Sequence, residues 1–540
     1  MLITLFLKLD LFYVYELKVI FSRFVKNIVM KIRLLFIGLF FITNLGAQVP
    51  SIQWEKRFGG TWFDSAYSID ITSDGGYILA GRTESNDGNV SGNHGLYDFW
   101  IVKLDALGIL QWQRTLGGML NDFAYSIKQT SEGGYIVVGE SESIEGDVPG
   151  NHGGYDGMVV KLSSIGEIEW YRAVGFQNSD GLRSVVQAPN GHIIVAGSRF
   201  LGSSDFWIAD VNTNGYHWYR TYGGSEADTA NSIQLTTDGG FIVAGSTYSN
   251  NGNVTGNHGS SDFWILKLNS IGNFEWQKTL GGTNEDYAKS IQQTSDGGYI
   301  VSGYTFSNDG NVSSFKGVYD YWVVKLNSVG DLEWQKTLGG TNADAANDVI
   351  QTSDGGYIVI GDTVSNNTGD VTGFHNSLGS DYWDIWLVKL NSTGTIVWKK
   401  ALGGAVQDIG NSIKRTNDGG FVIAGSTNSS DGDITGTTAG QGTDFWIVKF
   451  TPENLGISES EQKTSITLYP NPVKNELTVK LDFYMPSQKI SISDVHGKTI
   501  LTKDAEDLIT TINTSTLSQG TYFLTVQNLG EKTTQKFIVE

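Results

Sequence analysis

Cysteine and proline are the two residue types that this sequence most lacks. Its 540 residues include no cysteine and seven prolines. Without cysteine the chain has no disulfide, no thiolate metal ligand and no cysteine nucleophile. Between residues 51 and 450 only Pro149 and Pro189 occur, so little in this region interrupts the hydrogen bonding of β-strands.

Positive charge is also scarce. The chain has 37 Lys and Arg against 57 Asp and Glu, which gives a formal net charge of −20. A nucleic-acid-binding protein needs a basic surface, so we expect no nucleic-acid partner. Aromatic residues make up 12% of the chain, which excludes a disordered protein. The 68 glycines follow no three-residue period, which excludes collagen.

Uninterrupted apolar runs are short, and the longest near the N-terminus is LLFIGLFFI at residues 34–42. Lys31 and Arg33 precede it, and small residues lead to Ala47. This order is typical of a secretory signal peptide, and nine residues are too few for a membrane-spanning helix, which needs about twenty. We therefore predict a signal region at residues 1–47, cleaved after Ala47, and no transmembrane span in the mature protein.

The segment before this run does not fit an ordinary signal peptide. We interpret residues 1–29 as lying before the true start, Met30. A longer signal or a membrane anchor is the alternative, although Asp10 and Glu16 would make a span there costly. Cleavage after Ala47 would leave 31 basic and 55 acidic residues, a net charge of −24.

The body of the chain consists of seven copies of one repeat unit. Near-identical segments open at Trp54, Trp112, Trp170, Trp218, Trp276, Trp334 and Trp398. The fifth copy contains four strand-like runs, WQKTL, KSIQQT, GYIVSGYT and DYWVVKLN, separated by glycine-bearing turns. Four antiparallel strands in a repeat of this length are the signature of a β-propeller. An open parallel solenoid is the alternative, which the strand count and the matching chain ends disfavour.

The two ends of the repeat region complement each other. The last copy stops at residues 444–450, DFWIVKF, and lacks its fourth strand. Residues 54–58, WEKRF, supply such a strand at the front, and joining them leaves no open sheet edge. We predict an all-β fold: a seven-bladed β-propeller of four-stranded blades over residues 51–451, closed by the N-terminal strand, and a small C-terminal β-sandwich.

Two aspartates recur in every copy, on the face that carries the longer loops. The first set is Asp64, Asp122, Asp180, Asp228, Asp286, Asp344 and Asp408. The second set is Asp98, Asp156, Asp205, Asp262, Asp320, Asp384 and Asp444. An aspartate at a loop-to-strand joint can fix the turn by accepting backbone N–H bonds. The alternative is a ring of carboxylates at the channel mouth that contacts a cation or repels anionic ligands.

Tryptophan and calcium-type loops supply further candidates on this face. Thirteen of the fifteen tryptophans recur at repeat positions that suit packing between blades, and Trp62 and Trp383 fall outside the pattern as possible sugar-stacking residues. The long loop alternates oxygen side chains with glycine, as Ca²⁺ sites do. Its candidate ligands are Asp87, Asn89 and Ser91 in copy one and Asp431, Asp433 and Thr435 in copy seven. The same residues are ordinary turn formers, and no bidentate glutamate completes an EF-hand.

Catalytic signatures are weak. No HExxH, GxSxG or phosphate-binding loop occurs. A catalytic acid should break the repeat, and Glu140, Glu142 and Glu145 in copy two do so. Paired carboxylates of this kind would suit glycoside hydrolysis. We name no catalytic residue and no cofactor, and calcium stays an open possibility.

The C-terminal region changes character after a polar linker at residues 452–464. Residues 465–540 alternate apolar and polar positions, which predicts a small antiparallel sandwich. They include Tyr469-Pro470-Asn471-Pro472, a central ISDVHG at 492–497, and a GTYFLTV segment that contains Gly520 and Tyr522. These motifs closely resemble the type A sorting domain of the Bacteroidetes type IX secretion system. The resemblance implies export, recognition by the outer-membrane translocon through residues 465–540, and release or attachment at the cell surface.

The repeats are similar to secreted propellers with Gly-Gly-Tyr-Ile-Val-x-Gly strands, a likeness that implies no activity. We expect a secreted or cell-surface, non-enzymatic propeller that binds an extracellular glycan or protein on its loop-rich face. The alternative is a secreted polysaccharide hydrolase with off-pattern carboxylates at the channel mouth. First-set aspartates other than Asp180, together with Trp62 and Trp383, are the candidate ligand contacts.

Overall fold

The chain divides into two compact units, Met1–Gly456 and Ile457–Glu540. The computed structural model describes residues 49–375, 382–435, 442–453, 466–481, 489–495, 497–505, 507–528 and 531–540. The predicted signal region and all but the first residues of the predicted linker lie outside these ranges. In the described part of the chain no helix is long and apolar enough to cross a membrane.

The first unit consists of antiparallel strands, and no helix occurs in its described residues. In chain order its strands are β1 (Ile52–Phe58), β2 (Asp64–Ile71), β3 (Tyr77–Thr83), β4 (Asp98–Leu104), β5 (Leu110–Leu116), β6 (Asp122–Gln129), β7 (Tyr135–Ser141), β8 (Asp156–Leu162), β9 (Ile168–Val174), β10 (Gly181–Gln187), β11 (Ile193–Phe200), β12 (Ser204–Asn212), β13 (Gly215–Tyr222), β14 (Asp228–Leu235), β15 (Phe241–Thr247), β16 (Asp262–Leu268), β17 (Phe274–Leu280), β18 (Asp286–Gln293), β19 (Tyr299–Thr305), β20 (Asp320–Leu326), β21 (Leu332–Leu338), β22 (Asp344–Gln351), β23 (Tyr357–Thr363), β24 (Asp384–Leu390), β25 (Ile396–Leu402), β26 (Asp408–Arg415), β27 (Phe421–Thr427) and β28 (Asp444–Phe450).

These strands form four-stranded sheets, which we call blades one to seven. Blade one is β2–β5, and each later set of four follows in chain order up to β25. Blade seven combines β26, β27 and β28 with β1, which pairs antiparallel with β28. Each first strand contacts the first strands of both neighbouring blades, and β2 contacts β26. The all-β, propeller-like architecture predicted from the repeats is confirmed.

Packing between blades explains the recurring aromatic residues. Every residue of β4, as of its counterparts in blades two and four to seven, is buried. In four blades the tryptophan of this strand meets an aromatic ring of the preceding blade, as in Trp100 and Phe445, whose ring centroids are 4.3 Å apart. Trp264 and Phe206 repeat the contact at 4.4 Å. Burial of such large rings is the main apolar stabilisation between blades.

The tryptophans that open the copies make a second contact between blades. Each lies on a fourth strand, and six of the seven meet the ring that opens the second strand of the next blade; blade three has Ile193 at that position. Trp112 and Tyr135 are 5.8 Å apart, and Trp54 of β1 lies 5.5 Å from Tyr77. The prediction that these tryptophans are packing residues is therefore confirmed.

The second unit contains two small antiparallel sheets. Its strands are β29 (Ile466–Tyr469), β30 (Glu476–Leu481), β31 (Lys489–Ser493), β32 (Thr499–Asp504), β33 (Ile509–Asn513), β34 (Gly520–Asn528) and β35 (Glu531–Val539). One sheet has the order β29-β30-β33 and the other β32-β31-β34-β35. A core that includes Val479, Ile490, Leu524 and Phe537 lies between them, as expected for a sandwich.

Candidate functional site

The loops that lead into the first and third strands of each blade lie on one face of the propeller, which we call the aspartate face. Asp286 shows how the first aspartate set is used: it accepts from the Gly282 N–H at 2.8 Å, from Ser307 at 2.9 Å and from the Thr305 hydroxyl. The same triplet of donors surrounds Asp64, Asp122, Asp228, Asp344 and Asp408.

All six of these aspartates are fully buried. Their oxygens accept hydrogen bonds from groups of the surrounding loops and strands, and they therefore fix the loops from inside the protein. Direct ligand contact by the six first-set candidates stays a prediction, and the burial of their carboxylates leaves them no exposure on the face in this structure. In blade three Asp180 instead accepts the N–H groups of Phe176 and Phe200, at 2.7 and 2.8 Å.

The second aspartate set lies beside the first and explains the Gly-Gly pairs. A Cβ added to Gly281 would lie 2.5 Å from both Asp262 Oδ1 and Asp286 Oδ2, so only glycine fits between the two carboxyl groups. Burial is the main cause that raises the pKa of Asp286, to about 6, and burial also raises the pKa of Asp262. The buried Oδ1 of Asp262 has no hydrogen-bond partner. No donor at this atom therefore offsets the repulsion between the ionised carboxylates of Asp262 and Asp286.

Gly281→Ala is expected to destabilise the propeller by about 3 kcal/mol, because the new methyl group would overpack a site closed on two sides by carboxylates. The measurement is the free energy of unfolding from denaturant titration. Thr283→Ala, at an exposed position two residues further along the same loop, is the matched control and should change this free energy by less than about 0.5 kcal/mol. Equal losses in both variants would contradict the proposed role of the glycine.

The calcium candidates bond to neighbouring loops. In blade one, Asp87 accepts from the Thr61 N–H at 2.7 Å and Asn89 from the Gly59 N–H at 3.2 Å, while Ser91 accepts from Gln113 at 2.7 Å. In blade seven Asp431 accepts from the Ala405 N–H and Asp433 from the Gly403 N–H, whereas the Thr435 N–H donates to Glu55 of β1. The aspartate and asparagine oxygens thus already hold two loops together, and calcium binding at the six candidates stays a prediction.

The off-pattern acids of blade two have different surroundings. Glu140 accepts from the Tyr125 hydroxyl at 2.8 Å and pairs with Arg183 at 3.1 Å. Glu142 accepts from Asn121 at 3.1 Å, and Glu145 is exposed on the loop. Only Glu140 therefore contacts residues of the first strands, which surround the central channel.

One repeat position on the first strand carries four different residue types in the seven blades. It lies three residues after the first-set aspartate, and all seven side chains there are partly exposed. They are Tyr67, Tyr125, Arg183, Asn231, Lys289, Asn347 and Asn411. We call this set the channel ring. Because the first strands contact one another in a closed circle, residues about 58 positions apart in the chain become neighbours around the channel.

Aromatic residues extend the channel ring on the side of blades one and two. The rings of Tyr67 and Tyr125 are 5.4 Å apart, and Phe123 stacks on Tyr155 at 6.2 Å. The Arg82 guanidinium lies 5.2 Å from the Phe123 ring centre. From blade three, the Arg183 guanidinium lies 3.9 Å from the Tyr125 ring centre. Both distances fit cation–π contacts.

A second aromatic group lies on blades four to six, and we call it the tyrosine patch. Its members are Tyr248, Tyr287, Tyr304, Phe306, Tyr319 and Trp383, all partly exposed. Neighbouring ring centres lie 4.8 to 6.5 Å apart, and Trp383 stacks on Tyr319 at 6.3 Å with a 25° angle between the planes. Lys289 of the channel ring lies 5.5 Å from the Tyr304 ring centre. Burial and the charge of Arg183 lower the pKa of Lys289.

The two tryptophans singled out by sequence occupy different places. Trp62 is 50% exposed on the loop before β2, whereas Trp383 belongs to the tyrosine patch. Its position directly before the third strand is aromatic in four blades, as Tyr97, Tyr155, Tyr319 and Trp383. Sequence reasoning missed this row because the loop of variable length before it shifts the residue count. Alignment on the second-set aspartate, which follows each of these residues, was the signal that could have found it.

Comparison with protein families identifies the second unit. A family model described as the secretion system C-terminal sorting domain matches residues 467–540. This match confirms the sorting domain expected from the sequence motifs. No curated protein matches the chain. The sorting domain indicates export by the type IX secretion system to the cell surface or the medium.

Solved structures resemble the chain at low identity. PorZ, a bacterial surface component of the type-IX secretion system of Porphyromonas gingivalis, is 11% identical, with a TM-score of 0.37; the match covers 91% of this chain and 61% of PorZ. A Dyadobacter fermentans protein of unknown function is 12% identical, with a TM-score of 0.41, over 74% of this chain and 99% of that one. The Neurospora crassa Pan2 WD40 domain is 13% identical, with a TM-score of 0.40, over 74% and 97%. The chain thus spans about three fifths of the length of PorZ.

In the sorting domain, two of the three sequence motifs contain residues that contact the C-terminal strand β35. Asn471, between Pro470 and Pro472, accepts from the Ile538 N–H at 2.9 Å. Tyr522, two residues after Gly520, stacks on Phe537 at 5.8 Å and donates to the Ser518 carbonyl at 2.8 Å. The motif residues thus hold the C-terminal strand β35 in place, while Tyr469 is 44% exposed.

Proposed function

We propose that the protein is an exported binding module whose propeller takes an extracellular glycan at the channel mouth of the aspartate face. The observation that carries the proposal is the tyrosine patch together with the channel ring. These are the positions at which the seven blades differ, and an asymmetric ligand needs such differences. The glycan-contact residues are then the exposed rings rather than the buried aspartates.

The chemistry of these side chains suits a sugar. Tyrosine and tryptophan combine a flat apolar ring with a polar edge, so that the ring can stack on the C–H face of a pyranose while the edge bonds its hydroxyl groups. Asn231, Asn347 and Asn411 of the channel ring add amide donors and acceptors. Polar groups at few points within an aromatic surface are the usual composition of a ligand site.

A polysaccharide hydrolase remains the alternative. It needs two carboxyl groups on either side of the scissile bond, one of them a proton donor near neutral pH. Burial raises the pKa of Asp362 to about 7, but its oxygens accept from the Gly410 N–H at 2.7 Å and from Asn347 at 2.8 Å. Glu140 is likewise engaged by Arg183. These contacts favour binding without hydrolysis.

Trp383→Ala is expected to weaken glycan binding at least tenfold, because truncation of a central aromatic contact costs about 2 kcal/mol or more. The measurement is a glycan array with the full chain, followed by calorimetric titration of the best glycan. Tyr304→Ala should have a similar effect, since both rings contact Tyr319.

Phe274→Ala is the matched control. Phe274 is 44% exposed on the outermost strand of blade four, far along the sheet from the first strand, and its loss should leave the affinity unchanged. Absence of any glycan ligand, with capture of a protein instead, would contradict the glycan proposal. Release of reducing sugar that is lost in Asp362→Asn would favour the hydrolase.

A further inference from the structure

A second cluster of polar side chains lies on the face of the propeller opposite the aspartate face. The turns between first and second strands are found there. In six blades the third strand carries a buried lysine near this face: Lys103, Lys161, Lys267, Lys325, Lys389 and Lys449. Each pairs with one or two acids from the turn, the fourth strand or the segment after β28. Lys267, for example, lies 2.8 Å from Asp238 of the turn and 2.9 Å from Glu275 of β17.

Blade three reverses the charges of this arrangement. Asp210 replaces the lysine, His192 replaces the second glycine of the turn, and His217 stands where blades two, four and five have glutamate. In blade one a Cβ at the glycine, Gly76, would lie 2.3 Å from the Leu104 carbonyl oxygen and 2.7 Å from the Lys103 ammonium, so loss of the lysine removes one of the two close contacts that exclude a side chain there.

The three side chains of blade three converge on one point. His192 Nδ1 lies 2.6 Å from Asp210 Oδ2, His217 Nδ1 lies 3.4 Å from the same oxygen, and the two Nδ1 atoms are 3.4 Å apart. A tetrahedral zinc ion with bonds of about 2.0–2.1 Å holds its ligand atoms about 3.3 Å from one another. Two of the three separations already have this value. The third is a hydrogen bond that would lengthen when a metal replaces its proton.

The surroundings favour a cation. Asp210 is 3% exposed as a side chain, and its ion-pair partners among the described residues are these two histidines. Lys161, the lysine in the lining of the adjacent cavity, pairs with Glu169 at 3.2 Å. A buried carboxylate needs a compensating charge, and a metal ion held by neutral imidazoles supplies it.

The site is also accessible and incomplete in the manner of a metal centre. His192 and His217 are 35% and 55% exposed, and a cavity of about 240 Å³ adjoins them. Within the described ranges these residues are the single group of three histidine or carboxylate ligands close enough to share an ion. A solvent molecule can therefore occupy the remaining coordination position of a three-ligand site.

We propose that His192, Asp210 and His217 bind one divalent transition-metal ion of the zinc type. The ion joins the turn before β11, the end of β12 and the beginning of β13, and so performs in blade three the cross-strand role that the lysine ion pairs perform in the other blades. This site is independent of the glycan proposal, because it lies on the other face.

The test is titration of the chelator-treated full chain with Zn²⁺ alone, by calorimetry and by thermal unfolding. We expect one ion per chain, a higher Tm with Zn²⁺, and reversal by EDTA. His217→Ala should weaken Zn²⁺ binding at least tenfold and abolish the Tm shift, since it removes one of three ligands.

Two further variants keep the test independent of folding. Asn190→Asp, His192→Gly and Asp210→Lys together restore the lysine arrangement of the other blades, so this triple variant should fold and lose the Zn²⁺ response. His258→Ala breaks a two-ligand pair with Asp262 on the aspartate face and should keep that response. Absence of Zn²⁺ binding, equal binding by the triple variant, or an equal loss in His258→Ala would each overturn the proposal.

Discussion

Deletion of residues 52–58 is expected to convert the folded protein into an aggregating species with no cooperative unfolding transition at the wild-type temperature. These residues form β1, which pairs with β28 from Ile52↔Phe450 to Phe58↔Phe445. Without β1, the fully buried strand β28 would become an open edge. A long apolar edge strand recruits other chains by its unpaired backbone groups.

A single ion pair between β1 and β28 also contributes to closure of the ring. Arg57 pairs with Asp444 at 2.5 Å, and both are almost wholly buried. Removal of one partner of a buried ion pair leaves an uncompensated charge, which costs about 3–5 kcal/mol. Arg57→Ala should therefore lower the free energy of unfolding by about that amount.

Lys56→Ala, one residue earlier on the same strand, is the matched control because Lys56 has no ion pair among the described residues. Size-exclusion chromatography with light scattering measures aggregation of the deletion variant, and denaturant titration measures the two substitutions. A monomeric deletion variant with an unchanged Tm, or equal losses for Arg57→Ala and Lys56→Ala, would mean that closure by β1 contributes little.

The architecture was predictable because the same sequence pattern recurs in seven copies. Seven copies of the same aromatic and glycine positions indicate how blades pack, and Trp54 at one end matches the strand that the last copy lacks. The burial of the aspartates was less accessible to sequence reasoning. A carboxylate at a loop joint suits either a ligand or the loop itself, and the difference depends on donors such as Ser307 and Thr305, about 20 residues away from Asp286.

The candidate sites depend on departures from the repeat, and these become informative only in three dimensions. Tyr67, Arg183 and Lys289 are unremarkable on separate strands, but the closed circle of first strands brings them to one channel. The same holds for His192 and His217, which are 25 residues apart. Their relation to Asp210 follows from the register of β11, β12 and β13, which places all three at one end of the sheet.

The pH dependence of stability is expected to differ from that of most proteins. Burial is the main cause that raises the pKa of Asp64, Asp286 and Asp344 to about 6 and of Asp320 and Asp408 to about 7. In the unfolded chain an aspartate has a pKa of about 3.9. Such groups favour the folded state when protonated, so their contribution is complete below about pH 4 and is lost as the pH rises through 6 to 7.

A smaller set of aspartates acts in the opposite direction at low pH. Hydrogen bonds from the turn and from the buried lysines lower the pKa of Asp74, Asp238, Asp296 and Asp418 to about 2, against a partly opposing effect of burial. Their contribution is present above about pH 4 and is lost as the pH falls towards 2. Together the two sets place the stability maximum near pH 4 to 5.

We therefore expect the Tm at pH 5 to exceed that at pH 8 by about 5 °C or more, measured by scanning calorimetry at constant ionic strength. Asp320→Asn should raise the Tm at pH 8 and reduce this difference, because Asp320 Oδ1 is buried without a partner and the neighbouring Asp344 charge adds to its pKa shift. Asp331→Asn, at an exposed position, should leave the profile unchanged. A Tm that rises from pH 5 to pH 8 would show that the paired carboxylates are stabilised in their ionised form.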